Sequence, residues 1–94
     1  MYVVSLTYKV AQEIVDQHLD AHVDWLKDAF DEGVFIAAGR KVPRTGGVLL
    51  SRADRPTLDE SLAKDPFSVH GVADFEVVEF AANRTAPGFE NLLD

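Results

Sequence analysis

The chain has 94 residues, of which 47% are hydrophobic, and its 16 acidic and 9 basic residues give a net charge of -7. This length predicts a single domain over residues 1–94, and the excess of acidic residues argues against a nucleic acid partner, since a polyanion is repelled by such a surface. Because the chain has no cysteine, disulfides, thiolate nucleophiles and cysteine-bound metals are excluded.

The first third of the chain predicts a strand followed by a long helix. Residues 2–8 alternate β-branched and aromatic side chains in the manner typical of a strand. From Ala11 to about Glu32 the apolar residues follow steps of three and four, which predicts a helix with an acidic opposite face. Gly33 stands where a helix C-terminus favours glycine, because glycine adopts a positive φ at no steric cost.

The middle of the chain predicts a hairpin and a short helix. Residues 34–42 and 47–52 are apolar runs joined by a polar connector with proline and glycine, which favours an antiparallel pair. Thr57 and Glu60 have the spacing of a capping box, in which each side chain binds the backbone N–H of the other. This pattern predicts a helix over about residues 58–64.

The last third predicts a second helix start and a final strand. Asp65 followed by Pro66 is typical of an N-cap and the first helical position, and the turn of helix is expected to stop at Gly71. Residues 72–81 alternate again and predict the fourth strand. Residues 83–94 form a C-terminal tail without a recognisable motif.

The order β-α-β-β-α-β predicts an α+β fold of the ferredoxin-like type, a four-stranded antiparallel sheet with both helices on one face. Several strands are apolar on both sides, as Val3 beside Val4 and Phe35 beside Ile36 illustrate. A second apolar sheet face is costly to leave in water. We therefore expect a homodimer in which two sheets pack face to face.

The longest uncharged stretches, residues 34–39 and 45–51, are far shorter than the roughly 20 residues of a membrane span. The chain does not open on the apolar segment of a secretion signal. We therefore expect a cytoplasmic protein that does not have a membrane as its partner.

Basic residues are concentrated between positions 40 and 55, where the only acid is Asp54. One interpretation is a hairpin of solvated arginines that balances the acidic first helix. The other is the attraction of a small anionic ligand such as a carboxylate. The basic residues are Arg40, Lys41, Arg44, Arg52 and Arg55.

His22 interrupts the apolar face of the first helix, three residues after Leu19 and four before Leu26, so its imidazole is expected to point toward the sheet. A structural histidine bonded to a backbone carbonyl is one interpretation. A general acid or base is the other, because imidazole titrates near neutral pH without help and a carboxylate partner can hold its tautomer.

His18 precedes His22 by four residues, a spacing found in metal-binding His-Glu-x-x-His helices. Here no glutamate follows the first histidine and no third ligand is evident, so neither a metal nor a cofactor is predicted. His70 is expected at the surface, within reach of a cleft near the Asp65 turn. Asp65 needs no function to explain it, because Asp-Pro is a common helix start.

Several short motifs, in their order and spacing, resemble the YciI-like family, also called the YCII-related domain. The resemblance spans residues 2–80. The motifs are His22 with Leu26, Asp31-Glu32-Gly33-Val34, Ala38-Gly39, and Asp65-Pro66-Phe67 followed by Gly71-Val72.

The resemblance implies a ferredoxin-like subunit of a dimeric α+β barrel, with His22 and Asp65 as the active pair in a cleft. It also implies isomerase or dehydrochlorinase (lyase) chemistry on a small cyclic or aromatic-derived compound, without a cofactor. Gly39, Arg40 and His70 are the expected ligand-binding residues. Many relatives have proline where this chain has Arg40, and a basic entry favours an anionic ligand.

Two classes of function follow. In an enzyme, His22 moves a proton on the ligand while Asp65 orients the imidazole and stabilises its cation. In the alternative, the same cleft binds a small metabolite without turnover, or the domain serves only to dimerise. Turnover that depends on both residues distinguishes the first class from the second.

Overall fold

The computed structural model describes residues 1–94 and confirms the predicted βαββαβ order. None of its helices combines the length and the apolar character needed to cross a membrane. The strands are β1 (Tyr2–Tyr8), β2 (Phe35–Arg40), β3 (Gly46–Ser51) and β4 (Ala73–Glu79), and the helices are α1 (Gln12–Asp31), α2 (Arg55–Lys64) and α3 (Pro66–Val69).

The four strands form one antiparallel sheet in the order β2-β3-β1-β4, which is the ferredoxin-like arrangement. Val4 on the central strand β1 lies opposite Leu49 on β3 and Val77 on β4. A register shift interrupts β2 between Phe35 and Ala37. Away from this shift, the register places every second residue of the paired strands on the same face.

The helices cover one face of the sheet and enclose the hydrophobic core. Along β1, Tyr2, Val4 and Leu6 are buried while the residues between them are only half-buried, so the alternation read from the sequence matches the packing. All three helices add to this core. The main contributors are Val4, Leu6, Val15, Ala29, Leu49, Leu58, Leu62, Phe67 and Val72.

The opposite face of the sheet has no helix over it. Val3 lies opposite Leu50 on β3 and Val78 on β4, and these residues alternate with the buried set. Val78 is 50% exposed. The open face is therefore apolar along the row of Val3, Leu50 and Val78, whereas the next row along β1 and β4 pairs Ser5 with Glu76.

Two helix ends test the predicted capping signals. Gly33 follows α1 with a φ of 80°, as predicted. The predicted capping box of Thr57 and Glu60 is wrong, because α2 begins at Arg55 and its N-cap is Asp54. The Asp54 carboxylate accepts the Thr57 N–H at 2.8 Å. Hydrogen bonds from the side chain and backbone of Thr57, in that order of importance, hold the pKa of Asp54 below its usual value.

The tail folds back onto its own chain. Arg52, which follows β3, donates hydrogen bonds to the backbone carbonyls of Asn91 and Leu93. The Asp94 carboxylate accepts the N–H of Ala82 at 2.8 Å, and this bond, together with the terminal ammonium of Met1, lowers the pKa of Asp94. The tail is thus fastened near the ends of β3 and β4.

Candidate functional site

His22 and Asp65 are in direct contact although 43 residues separate them in the chain. Nδ1 of His22 lies 2.8 Å from Oδ1 of Asp65. His22 is on the inner side of α1 with 14% of its side chain exposed, and Asp65 is fully buried between α2 and α3. Because α3 packs against α1, the residue that begins α3 meets the middle of α1.

One oxygen of Asp65 holds both the start of α3 and the imidazole. Oδ1 accepts the N–H of Phe67 at 2.9 Å, which is the predicted N-cap bond. An ionised carboxylate only accepts hydrogen bonds, so with Asp65 in that form Nδ1 is the donor of this contact. In the neutral imidazole, Nε2 is then the nitrogen with a free lone pair. Oδ2 of Asp65 is buried without a hydrogen-bond partner.

Aromatic rings fix the plane of the imidazole. The Phe67 ring stacks on His22 with centroids 4.0 Å apart and an interplanar angle of 5°. Tyr8 packs edge-on against Phe67 with ring centroids 5.8 Å apart. The ring of Trp25 is tilted relative to that of His22, with centroids 5.5 Å apart. Trp25 is itself held by a 3.0 Å hydrogen bond from Nε1 to the Ser61 carbonyl. Stacking and hydrogen bonding together restrict His22 to one orientation.

A cavity of about 250 Å³ lies between α1 and the helix-covered side of the sheet. An apolar cavity of roughly 150 Å³ holds benzene, so this one has room for a single ring with small substituents. His22 lines the cavity and Asp65 does not, so the carboxylate supports the imidazole from behind. Most of the remaining lining is apolar and includes Leu6, Leu19, Leu26 and Leu49.

The cavity is electropositive within an acidic protein. The charged residues that line it are Arg40 and Arg44, and no carboxylate lines it although the chain carries 16 acidic residues. Arg44 pairs with Asp16 at 3.3 Å, whereas Arg40 forms no ion pair. A guanidinium without a partner at an apolar cavity favours an anionic ligand.

Gly39 and Arg40 lie where the cavity meets β2. Arg40 pairs with Gly47 in the sheet register, which places its side chain on the helix-covered face. Lys41 turns to the other face, where Nζ donates to the Thr7 hydroxyl at 2.9 Å. Of these two neighbouring cations, only Arg40 therefore reaches the site.

His70 does not line the cavity. It caps the C-terminus of α3, and its ring stacks on His18 with centroids 4.2 Å apart. The four-residue turn of α3 thus places Asp65 against His22 and His70 against His18, so both contacts are with α1. No group of three or more histidine, aspartate or glutamate side chains is arranged to hold a metal ion.

Sequence reasoning missed the parts of the site that depend on strand register. Gly46 is one of them, because a Cβ there would lie 1.8 Å from the Leu6 carbonyl oxygen. Tyr8 on β1 is another, because it also lines the cavity. Phe67 was missed as well, but it lies on α3, where it lines the cavity and stacks on the imidazole. The only signal for Phe67 in the sequence is its place directly after Asp65-Pro66.

Comparison with known proteins agrees with this architecture. The family model described as the YCII-related domain matches residues 1–81, and no curated protein matches the sequence significantly. A similar solved structure is 5-chloro-2-hydroxyhydroquinone dehydrochlorinase from Burkholderia phenoliruptrix AC1100, in complex with 2,5-dihydroxybenzoquinone. It is 14% identical, with a TM-score of 0.69 over 88% of this chain and 96% of that chain. At this identity the likeness shows a common fold.

Proposed function

We propose that this chain, which belongs to the family of YCII-related domains, is a cofactor-independent enzyme of the isomerase or lyase type. Its substrate is a small cyclic or aromatic-derived compound with an anionic group. The observation that carries the proposal is the 2.8 Å contact between His22 and the buried Asp65 behind a cavity that His22 lines. A buried carboxylate, a fixed imidazole and a ring-sized cavity form the arrangement that general acid-base catalysis requires.

His22 acts as the base through Nε2, because Nδ1 is engaged by Asp65. Nε2 takes a proton from a carbon or hydroxyl of the ligand, and the Asp65 carboxylate stabilises the imidazolium that forms. The electron pair left on the ligand either shifts a double bond or expels a leaving group such as chloride. In an isomerase the imidazolium returns its proton at a second position, and in a lyase it releases the proton to solvent.

Arg40 supplies the complementary charge. Removing a proton from the ligand leaves negative charge on an enolate or phenolate oxygen, and a positioned guanidinium stabilises such charge as it develops. Arg40 is exposed at the edge of the cavity, so this interaction is made at the mouth of the site and weakens with added salt. The dehydrochlorinase of the same fold, whose structure holds 2,5-dihydroxybenzoquinone, supports a single oxygenated ring as the ligand.

The test is a screen of small lactones, hydroxyquinones and chlorinated aromatics for turnover, comparing the parent with His22→Ala and Asp65→Asn. If His22 is the base, His22→Ala lowers turnover by roughly 10² to 10⁴-fold. Asp65→Asn keeps a good N-cap for α3, so a loss of rate reports the carboxylate charge rather than the helix. His18→Ala is the matched control, since His18 is on α1 but does not line the cavity.

Other results select the alternative classes. Ligand binding without turnover, weakened by both site substitutions, identifies a non-catalytic binding module. A loss of melting temperature in His22→Ala, with no ligand and no turnover in the parent, identifies a structural histidine. Equal rates in the parent, His22→Ala and His18→Ala with a substrate that is turned over contradict the acid-base role.

We also propose that a second copy of the chain covers the open sheet face. The support is the apolar strip of Val3, Leu50 and Val78 on that face, with Val78 half exposed. Sedimentation at micromolar concentration tests this: a dimer is expected for the parent, and Val78→Asp is expected to shift it toward the monomer because it buries an unpaired charge. A monomeric parent contradicts the dimer.

A further inference from the structure

Arg44 connects the two sides of the cavity. It lies on the loop between β2 and β3, lines the cavity, and places Nη2 3.3 Å from Oδ1 of Asp16 on α1. The loop and the helix are therefore tied by one ion pair at the edge of the cavity. Asp16 does not itself line the cavity.

This ion pair is easily replaced. The side chains of Arg44 and Asp16 are 35% and 53% exposed, and only one nitrogen of the guanidinium makes the contact. Exposed pairs with a single contact contribute little to stability. Asp16 Oδ1 also accepts a hydrogen bond from Gln12 Nε2 at 3.0 Å, so Asp16 keeps a partner when Arg44 leaves.

We infer that Arg44 is an exchangeable clamp for a carboxylate on a monocyclic ligand: Asp16 holds Arg44 in the free protein, and the ligand carboxylate takes the place of Asp16. A guanidinium presents two parallel N–H groups that match a carboxylate, and Asp16 shows that this guanidinium already binds one. The ring then lies in the apolar part of the cavity beside His22 and Phe67. The substrate class is therefore a ring acid.

This inference rests on the proposed function only in placing the ligand in the cavity, so binding alone tests it. The probes are benzoate and its neutral near-isostere benzamide, titrated by calorimetry into the intact protein at low salt. The variants are Arg44→Gln and Asp16→Asn. The matched controls are Arg84→Gln and Asp20→Asn, exposed positions that do not line the cavity.

We expect the parent to bind benzoate more tightly than benzamide. Arg44→Gln removes this preference, with a loss of about tenfold for benzoate as for one charge-assisted hydrogen bond. Asp16→Asn frees the guanidinium and raises benzoate affinity about two- to fivefold, the range of an exposed ion pair. Neither variant changes benzamide binding, and the control variants behave as the parent does.

Three results overturn the clamp. One is unchanged or weaker benzoate binding in Asp16→Asn. Another is an equal loss of affinity for benzoate and benzamide in Arg44→Gln, which would show that Arg44 packs against the ring and does not recognise the carboxylate. The third is no benzoate binding by either the parent or Asp16→Asn at millimolar concentration. Turnover of a neutral ring compound that requires His22, together with any of these, leaves the proposed chemistry in place and removes only the clamp.

Discussion

The contact between His22 and Asp65 predicts a measurable coupling free energy. The perturbations are His22→Ala, Asp65→Ala and the double variant. Asp65→Ala removes both hydrogen bonds of Oδ1, one from the Phe67 N–H and one from His22 Nδ1. His22→Ala removes only the second of these, together with the stack on Phe67.

The size of the coupling follows from these contacts. Loss of the N-cap costs about 1 kcal/mol, and loss of a hydrogen bond to a charged group costs about 1.5 to 3 kcal/mol. Asp65→Ala is thus expected to lower the free energy of unfolding by at most about 2.5 to 4 kcal/mol. This is an upper value because the substitution also removes the buried Oδ2, which has no hydrogen-bond partner. That removal and the cap loss occur with or without His22, so they cancel in the cycle. A coupling of about 1.5 to 3 kcal/mol remains.

Urea unfolding at neutral pH and one fixed protein concentration measures the four free energies, with far-ultraviolet circular dichroism as the signal. Trp25 fluorescence is a poor sole signal because Trp25 lies 5.5 Å from the substituted ring. The control cycle pairs His22→Ala with Asp54→Ala, because Asp54 caps α2 without a histidine partner, and no coupling is expected there. A coupling below about 0.5 kcal/mol between His22 and Asp65 would refute the interpretation of this contact as a charge-assisted bond.

Two further results are expected. Gly46→Ala should lower the free energy of unfolding by more than about 2 kcal/mol, because its Cβ meets the Leu6 carbonyl oxygen. The control is Gly39→Ala, which meets no atom within 4 Å and should be nearly neutral. Similar losses for the two variants in urea unfolding would contradict the close approach of β3 to β1. Because the pKa of Asp54 is lowered in the folded state, the carboxylate stabilises the fold above the ordinary carboxyl pKa, and this stability is lost as pH falls through the lowered value. The melting temperature of Asp54→Asn should therefore fall less than that of the parent below about pH 4. Parallel melting curves for the two proteins would exclude a contribution of Asp54 to the acid lability.

The strands and the main helix were predictable because their signals are local. Alternation in residues 2–8 and the three-four spacing after Ala11 each depend on one element and its buried side. The contact of His22 with Asp65 was expected from the resemblance to the YCII-related family, and the topology, which packs the second helical region beside the first, is consistent with it.

The errors arise where neighbouring groups compete. Asp54 and Glu60 both offer a carboxylate to the Thr57 N–H near the start of α2, and Asp54 accepts the hydrogen bond that the predicted capping box assigns to Glu60. His70 follows Asp65 by five residues, but the direction of its ring depends on His18 across the helix interface. No pattern within one segment records such a contact.

The residues around the imidazole and the arginines of the cavity come from different parts of the chain. Residues that position the imidazole belong to α1 and α3, while Arg40 and Arg44 belong to the hairpin of β2 and β3. Lengthening or rewriting the five-residue loop at positions 41–45 leaves His22, Asp65 and Phe67 in place. The residues proposed to bind the charge of the ligand and those proposed to move its proton therefore lie on different parts of the chain, and substitutions in the loop can change the first without changing the second.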